Sequence, residues 1–138
     1  MDKQSNKDQE RSLDAGQLLK KKALIRGMLS KIADRWTFLV IYVLSVEGEL
    51  RFTQLLEKSG GISQKMLTQT LRQLERDGLV SRKVHAVVPP RVDYKLTPLG
   101  DSLREAVHSL WSWIEGHLSE VESSRQRFDA SKNPGVEP

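Results

Sequence analysis

The sequence predicts a mainly α-helical domain carrying one small β-hairpin. Three observations lead there. Apolar residues recur at helical spacing along several long stretches. Glycine, proline and short polar residues stand where those stretches should start and stop. One pair of short segments, 79–85 and 91–96, alternates in period two on either side of a proline-bearing loop. With 138 residues, 38% of them hydrophobic and 29% charged, the chain has the make-up of one globular domain with a modest core.

The elements follow in order. Residues 1–15 are polar and read as a flexible arm; 125–138, with Pro, Gly and Asn, read as a flexible tail; 16–124 form the domain. A first helix is expected from Gln17 to Ile32, with Leu18, Leu24, Ile25, Met28 and Leu29 near helical spacing and the lysines at 20–22 as a solvated turn. Asp34 can cap a second helix, whose run Trp36–Leu44 is apolar on nearly every side and so belongs at the centre. Gly48 stops it. A short extended piece at 50–52 precedes a third helix, 53–59, which Gly60-Gly61 ends. Ser63 then caps a fourth helix that Gly78 ends. Two helices joined by so short a turn, the second polar on its outer side, make a helix-turn-helix, and the hairpin after it is a wing. Its prolines, Pro89 and Pro90, cannot donate ladder hydrogen bonds and belong at the tip. Thr97-Pro98 starts a last helix expected to run unbroken to Val121 or beyond. The fold class is thus a winged helix-turn-helix with additional N- and C-terminal helices.

Charge locates the function. Residues 63–91 hold six Lys/Arg against two Asp/Glu, an excess equal to the +4 of the whole chain, while the remainder balances at sixteen of each. Such segregation points to a polyanionic partner. On a helical projection of 63–76, Met66, Leu67, Thr70, Leu71 and Leu74 share one sector. Lys65, Thr68, Gln69, Arg72 and Arg76 lie opposite, with Gln64 beside them and no carboxylate among them. These are the side chains a major groove accepts: Gln pairs with adenine, Arg with guanine, and Thr meets a thymine methyl or a phosphate. Ser63, Arg82, Lys83 and Arg91 complete the expected DNA-contacting set.

The order of motifs resembles the HxlR-type family of bacterial winged-helix transcription regulators, related to the MarR-like group. The resemblance spans about residues 20–120 and rests on Arg51-Phe52, Ile62–Leu67, Leu74-Glu75 with Asp77-Gly78-Leu79, and Pro89-Pro90-Arg91-Val92 followed by Tyr94, Leu96-Thr97 and Gly100. It implies a homodimer on palindromic double-stranded DNA, with Gln64, Lys65, Thr68, Gln69 and Arg72 in the groove and the wing, 85–91, at the minor groove or backbone. One departure stands out. Several members of that family sense oxidants through a cysteine early in the first helix; counting back from Trp36, that position is Ala23, and the chain has no cysteine at all. Thiol sensing is excluded, so a signal would act through a ligand bound non-covalently, or regulation would come through abundance.

In the last helix Leu99, Leu103, Ala106, Leu110, Trp113, His117 and Val121 recur four and three apart, widened by Ile114, a seam suited to a second copy with Leu24 and Met28 of the first helix contributing. Trp36, Tyr42 and Trp111 are candidates for a small-molecule cavity. No metal or cofactor is expected, since His85, His108 and His117 lack the spacing of a ligand pair. No nucleophile–base constellation or phosphate loop argues for an enzyme. No apolar run reaches the roughly 20 residues of a membrane span and no secretory leader is visible, so a cytoplasmic location is expected. The rival reading is a winged-helix module that binds protein; it would want an apolar or mixed outer face on the fourth helix.

Overall fold

The computed structural model describes residues 3–132. The element order is α1 (Lys3–Ile32), α2 (Arg35–Glu47), β1 (Leu50–Arg51), α3 (Phe52–Lys58), α4 (Gln64–Arg76), β2 (Val80–His85), β3 (Arg91–Leu96), α5 (Pro98–Asp101) and α6 (Arg104–Lys132). The mainly helical winged helix-turn-helix is as expected from the sequence.

The core is built around α2. Val40, Ile41 and Leu44 are at most 1% exposed and meet Leu55 of α3, Leu67 and Leu71 of α4 and Val107 of α6. Asp34 starts α2 by accepting from the amides of Trp36 and Thr37 at 3.2 and 3.1 Å, which satisfies two of the donors a helix start leaves open. Between α3 and α4 the chain reverses through Gly60 and Gly61, whose φ values of 57° and 100° lie where a Cβ would be strained. Ile62 then plugs the core and Ser63 caps α4.

The hairpin is antiparallel and in register from Val80 opposite Leu96 to His85 opposite Arg91, which leaves Ala86–Pro90 as the tip. The extended piece expected at 50–52 proves to be a third strand: β1 pairs with β3, Leu50 opposite Tyr94 and Arg51 opposite Asp93, in the order β1-β3-β2. This edge ties the wing to the start of α3.

Three boundaries differ from the sequence reading. α1 begins at Lys3, so residues 3–15, expected as an arm, continue the helix. Few residues there break a helix. α6 likewise continues to Lys132 through residues set aside as tail; residues 1–2 and 133–138 lie outside those described. The last helix is also not continuous. α5 ends in a turn at Ser102-Leu103, where the Ser102 amide reaches back to Pro98 and Leu99 and Leu103 to Gly100. Just before this turn the buried Gly100 lies so close to the backbone of Leu79 that no side chain fits between them. Among the described residues no helix is long and apolar enough to cross a membrane.

α6 is fastened to α2 by polar contacts. Ser45 is 2% exposed, and its hydroxyl donates to the Tyr42 carbonyl at 2.7 Å. His108 Nε2, 2.7 Å from the same oxygen, must then be the donor in that second bond. Arg104 bonds the Ser45 carbonyl, and Trp111 stacks on Tyr42 with centroids 4.1 Å apart.

Candidate nucleic-acid interface

The segregated α4 of the sequence has the same two sides in three dimensions. Leu67, Thr70, Leu71 and Leu74 are at most 5% exposed and anchor the helix to the core. Gln64, Lys65, Gln69, Arg72 and Arg76 are exposed on the other side. Ser63 Oγ accepts from the Met66 amide at 3.0 Å, so this residue is a helix cap and its hydroxyl is already engaged. Thr68 is half-buried and its hydroxyl donates to the Gln64 carbonyl at 2.9 Å. That bond uses its only proton. Toward a base edge Thr68 therefore offers an acceptor and a methyl group, and a phosphate contact would require breaking the existing bond. Met66, expected inside, is 39% exposed. It sits at the border of the apolar sector, where it lines a groove with Met28 and Ile32 at the end of α1.

The cations of this surface carry no internal partner. Among the described residues none of the ion pairs involves Lys65, Arg72, Arg76, Arg82 or Lys83, and all five are exposed. Arg91 differs. It is half-buried, with Nε 3.3 Å from Asp93 Oδ1, too poorly aligned to count as a hydrogen bond but close enough for a charge contact. Asp93 Oδ2 also meets His85 Nε2 at 2.8 Å. By alternation Asp93 shares a side of β3 with Lys95, yet it is 9% exposed, with His85 and Arg91 beside its carboxylate. Its cross-strand neighbours are Lys83 and Arg51. A single acid thus sits inside a ring of basic residues at the neck of the wing, and Arg91 is a less available phosphate contact than Arg82 or Lys83. At the tip, Val87 and Val88 are exposed.

The seam residues divide. Leu103 packs against the protomer's own core. Leu110, Trp113, Ile114 and Val121 stay between 36% and 55% exposed, and Leu24 and Met28 of α1 are 72% and 36% exposed. His117 stacks on Trp113 at 4.4 Å, with Nδ1 2.6 Å from the Trp113 carbonyl. Of the proposed cavity residues, Tyr42 and Trp111 come together, but Trp36 does not join them; it lies under the Arg35 guanidinium at 4.4 Å. The groove beside Trp111, of about 770 Å³, is lined instead by Phe38, Leu39, Leu110, Ile114 and Leu118, with Arg35 and Glu115 among its polar residues. Among the described residues no group of three or more His, Asp or Glu side chains is placed to hold a metal ion.

This geometry recurs in known proteins. The chain is 44% identical over 109 residues to the HTH-type transcriptional regulator YtfH of Escherichia coli (strain K12), covering 79% of this chain and 86% of that one. It is 42% identical over 98 residues to the HTH-type regulator YkvN of Bacillus subtilis (strain 168), covering 71% and 81%. Among solved structures, the transcriptional regulator YtfH from Salmonella typhimurium superposes with a TM-score of 0.69 at 42% identity, over 73% of this chain and 89% of that one. The redox regulator HypR in its reduced form gives 0.66 at 35% identity, over 72% and 97%. The profile of the HxlR-like helix-turn-helix family matches residues 31–122, a stretch running from the end of α1 through the wing and most of α6, and the chain belongs to that family of transcriptional regulators.

Proposed function

We propose that the protein binds a palindromic operator in double-stranded DNA as a homodimer, α4 lying in the major groove and the wing resting on the adjacent minor groove or backbone. The observation that carries this reading is the exposed, carboxylate-free face of Lys65, Gln69, Arg72 and Arg76, continuous in sequence with the unpaired Arg82 and Lys83. Gln64, Gln69 and Arg72 are the base-reading side chains, and Thr68 contributes its methyl and acceptor lone pairs. Lys65, Arg76, Arg82 and Lys83 hold phosphates. The polar character of this face disfavours a purely protein-binding module.

Two copies are required because α1 and α6 leave their apolar stripes open. Leu18, Leu24, Ile25 and Leu29 on one helix and Leu110, Trp113, Ile114 and Leu118 on the other are each more than 40% exposed. Contiguous apolar surface of this kind marks an association site. A two-fold dimer would set the recognition helices about 34–36 Å apart, on successive turns of one DNA face. The groove beside Trp111 is where a non-covalent, largely apolar effector would lodge.

Selection of binding sites from random duplex DNA tests the reading directly, since it returns the operator and its half-site spacing together. Neutralising about six phosphates per dimer gives a slope near −5 for log affinity against log salt. Arg72→Ala should lower specific affinity by about 1–3 kcal/mol, whereas Lys83→Ala should weaken all sequences alike and reduce the slope by about 1. Recovery of no enriched sequence, or two variants indistinguishable from wild type, defeats the proposal.

A further inference from the structure

α1 is a lever held at one end. Its residues 14–30 are exposed, and only Lys31 and Ile32, in the last turn, are partly covered. At about 1.5 Å per residue the helix is about 45 Å long. Across that covered end runs a single charged tie: Lys31 Nζ lies 3.3 and 3.2 Å from the two carboxylate oxygens of Asp77, forty-six residues away. Among the described residues it is the only ion pair joining α1 to another element. The Asp77 side chain is 18% exposed and Lys31 42%, so the pair is partly withdrawn from solvent. The one other carboxylate in this groove, Asp34, is committed to the amides at the start of α2, and Arg72, which also lines the groove, is in no ion pair.

Asp77 stands in an awkward place for helix stability. It is the C-cap residue of α4, its amide bonded to the Gln73 and Glu75 carbonyls. A carboxylate there faces the negative end of the helix dipole, whereas a lysine at the end of α1 suits that helix well. The acid is unfavourable for α4 alone; what it supplies is a directional contact to α1.

Resting on the dimeric DNA-binding reading above, we infer that Lys31 and Asp77 are positioning residues whose ion pair fixes the angle between the dimerising helix α1 and the recognition helix α4, and so sets the half-site spacing that the protein accepts. A tilt of about 5° over the length of α1 moves its far end by about 4 Å. That matches one base-pair step of about 3.4 Å. A joint this close to α4 therefore decides between neighbouring spacings while making no DNA contact itself.

The test uses the full chain and the duplex it selects, together with versions carrying one base pair more or fewer between the half-sites, and a duplex with one half-site only. Wild type, Lys31→Gln, Asp77→Asn and the charge-swapped Lys31→Asp/Asp77→Lys protein are titrated on each. In both single variants the affinity ratio between the selected and altered spacings should fall about three- to fivefold, the range of a partly exposed pair. Half-site affinity should stay within about twofold, and the swap should restore discrimination. An unchanged ratio in both single variants overturns the inference and leaves the DNA-binding reading standing. So does a half-site loss as large as the full-site loss, which would show a merely structural pair. Failure of the wild-type chain to select any duplex overturns both.

Discussion

Replacing Gly100 by alanine puts a methyl group where the fold has no room. An ideal Cβ at this position lies 2.0 Å from the Leu79 carbonyl oxygen, 2.9 Å from its carbon and 3.2 Å from Leu96 Cδ2. Carbon–oxygen contacts normally stop near 3.3 Å, so α5 and the start of β2 must separate by more than about 1 Å. Two costs follow. Forcing backbone apart in a packed region is worth about 1–3 kcal/mol. The Leu79 carbonyl also accepts from the Thr97 amide at 3.0 Å, and stretching that bond forfeits about 1 kcal/mol. Alanine's better helix propensity returns at most about 1 kcal/mol, and less in a helix of four residues. The expected net loss is about 2–3 kcal/mol, read as a lowered urea midpoint with an unchanged m-value at fixed protein concentration. Gly116→Ala is the control. It sits in α6 with nothing within 4 Å of its Cβ, and it should stabilise by up to about 1 kcal/mol. If Gly100→Ala stays within about 0.5 kcal/mol of wild type, the close approach to Leu79 does not govern the α5 turn.

Three further substitutions have signs that the structure decides. Ser59 is fully buried and its hydroxyl has no hydrogen-bond partner; Ser59→Ala should be neutral or stabilising by about 1 kcal/mol, and a clear destabilisation would reveal a contact for the hydroxyl. Ser63→Ala removes the cap on the Met66 amide and should cost about 1 kcal/mol in denaturant unfolding, with fraying detectable as faster amide exchange in the first turn of α4; an unchanged exchange rate would mean that the cap is dispensable. Asp93→Asn keeps an acceptor for His85 but removes the charge facing Arg91, and with Arg91 more than a third exposed the expected loss is about 1 kcal/mol. The same unfolding assay reads it, and a gain in stability would mean that burying the carboxylate costs more than its two partners return.

The sequence was legible where one residue dictates local geometry. Asp34, Ser63 and Thr97 all cap the helices expected of them, and the hairpin strands keep their expected C-terminal limits at His85 and Leu96. The outer side of α4 was legible because its helix is strongly two-sided. What escaped notice depended on contacts distant in sequence. A two-residue strand such as β1 is too short to show any period, and only its pairing with β3 defines it. Alternation puts Asp93 on one side of β3 with Lys95 and cannot register the contacts that its carboxylate makes with His85 and Arg91. The break after Asp101 leaves no local mark for a related reason: Ser102 and Leu103 are ordinary helix residues, and the close approach of Gly100 to the Leu79 backbone joins positions distant in sequence. Trp36 was grouped with Trp111 by residue type alone, whereas neighbours in space decide which aromatics meet.

The two long helices are attached to the winged domain in the same way. Each leaves the winged domain from one attached end and carries its apolar stripe outward. α6 has one buried residue, Val107, and α1 has none among those described. Apolar packing is non-directional, so the buried Val107 alone does not fix the direction of α6; the stacking of Trp111 on Tyr42 and the polar contacts around it add direction. The fold supplies polar contacts at both points: Lys31 to Asp77 at the end of α1, and Ser45, His108 and Arg104 at the beginning of α6. Hydrogen bonds and ion pairs lose strength steeply with misalignment, which makes these two sites the stiff joints of an otherwise adaptable frame. The groove beside Trp111 begins one helical turn from His108, next to the second of these contacts.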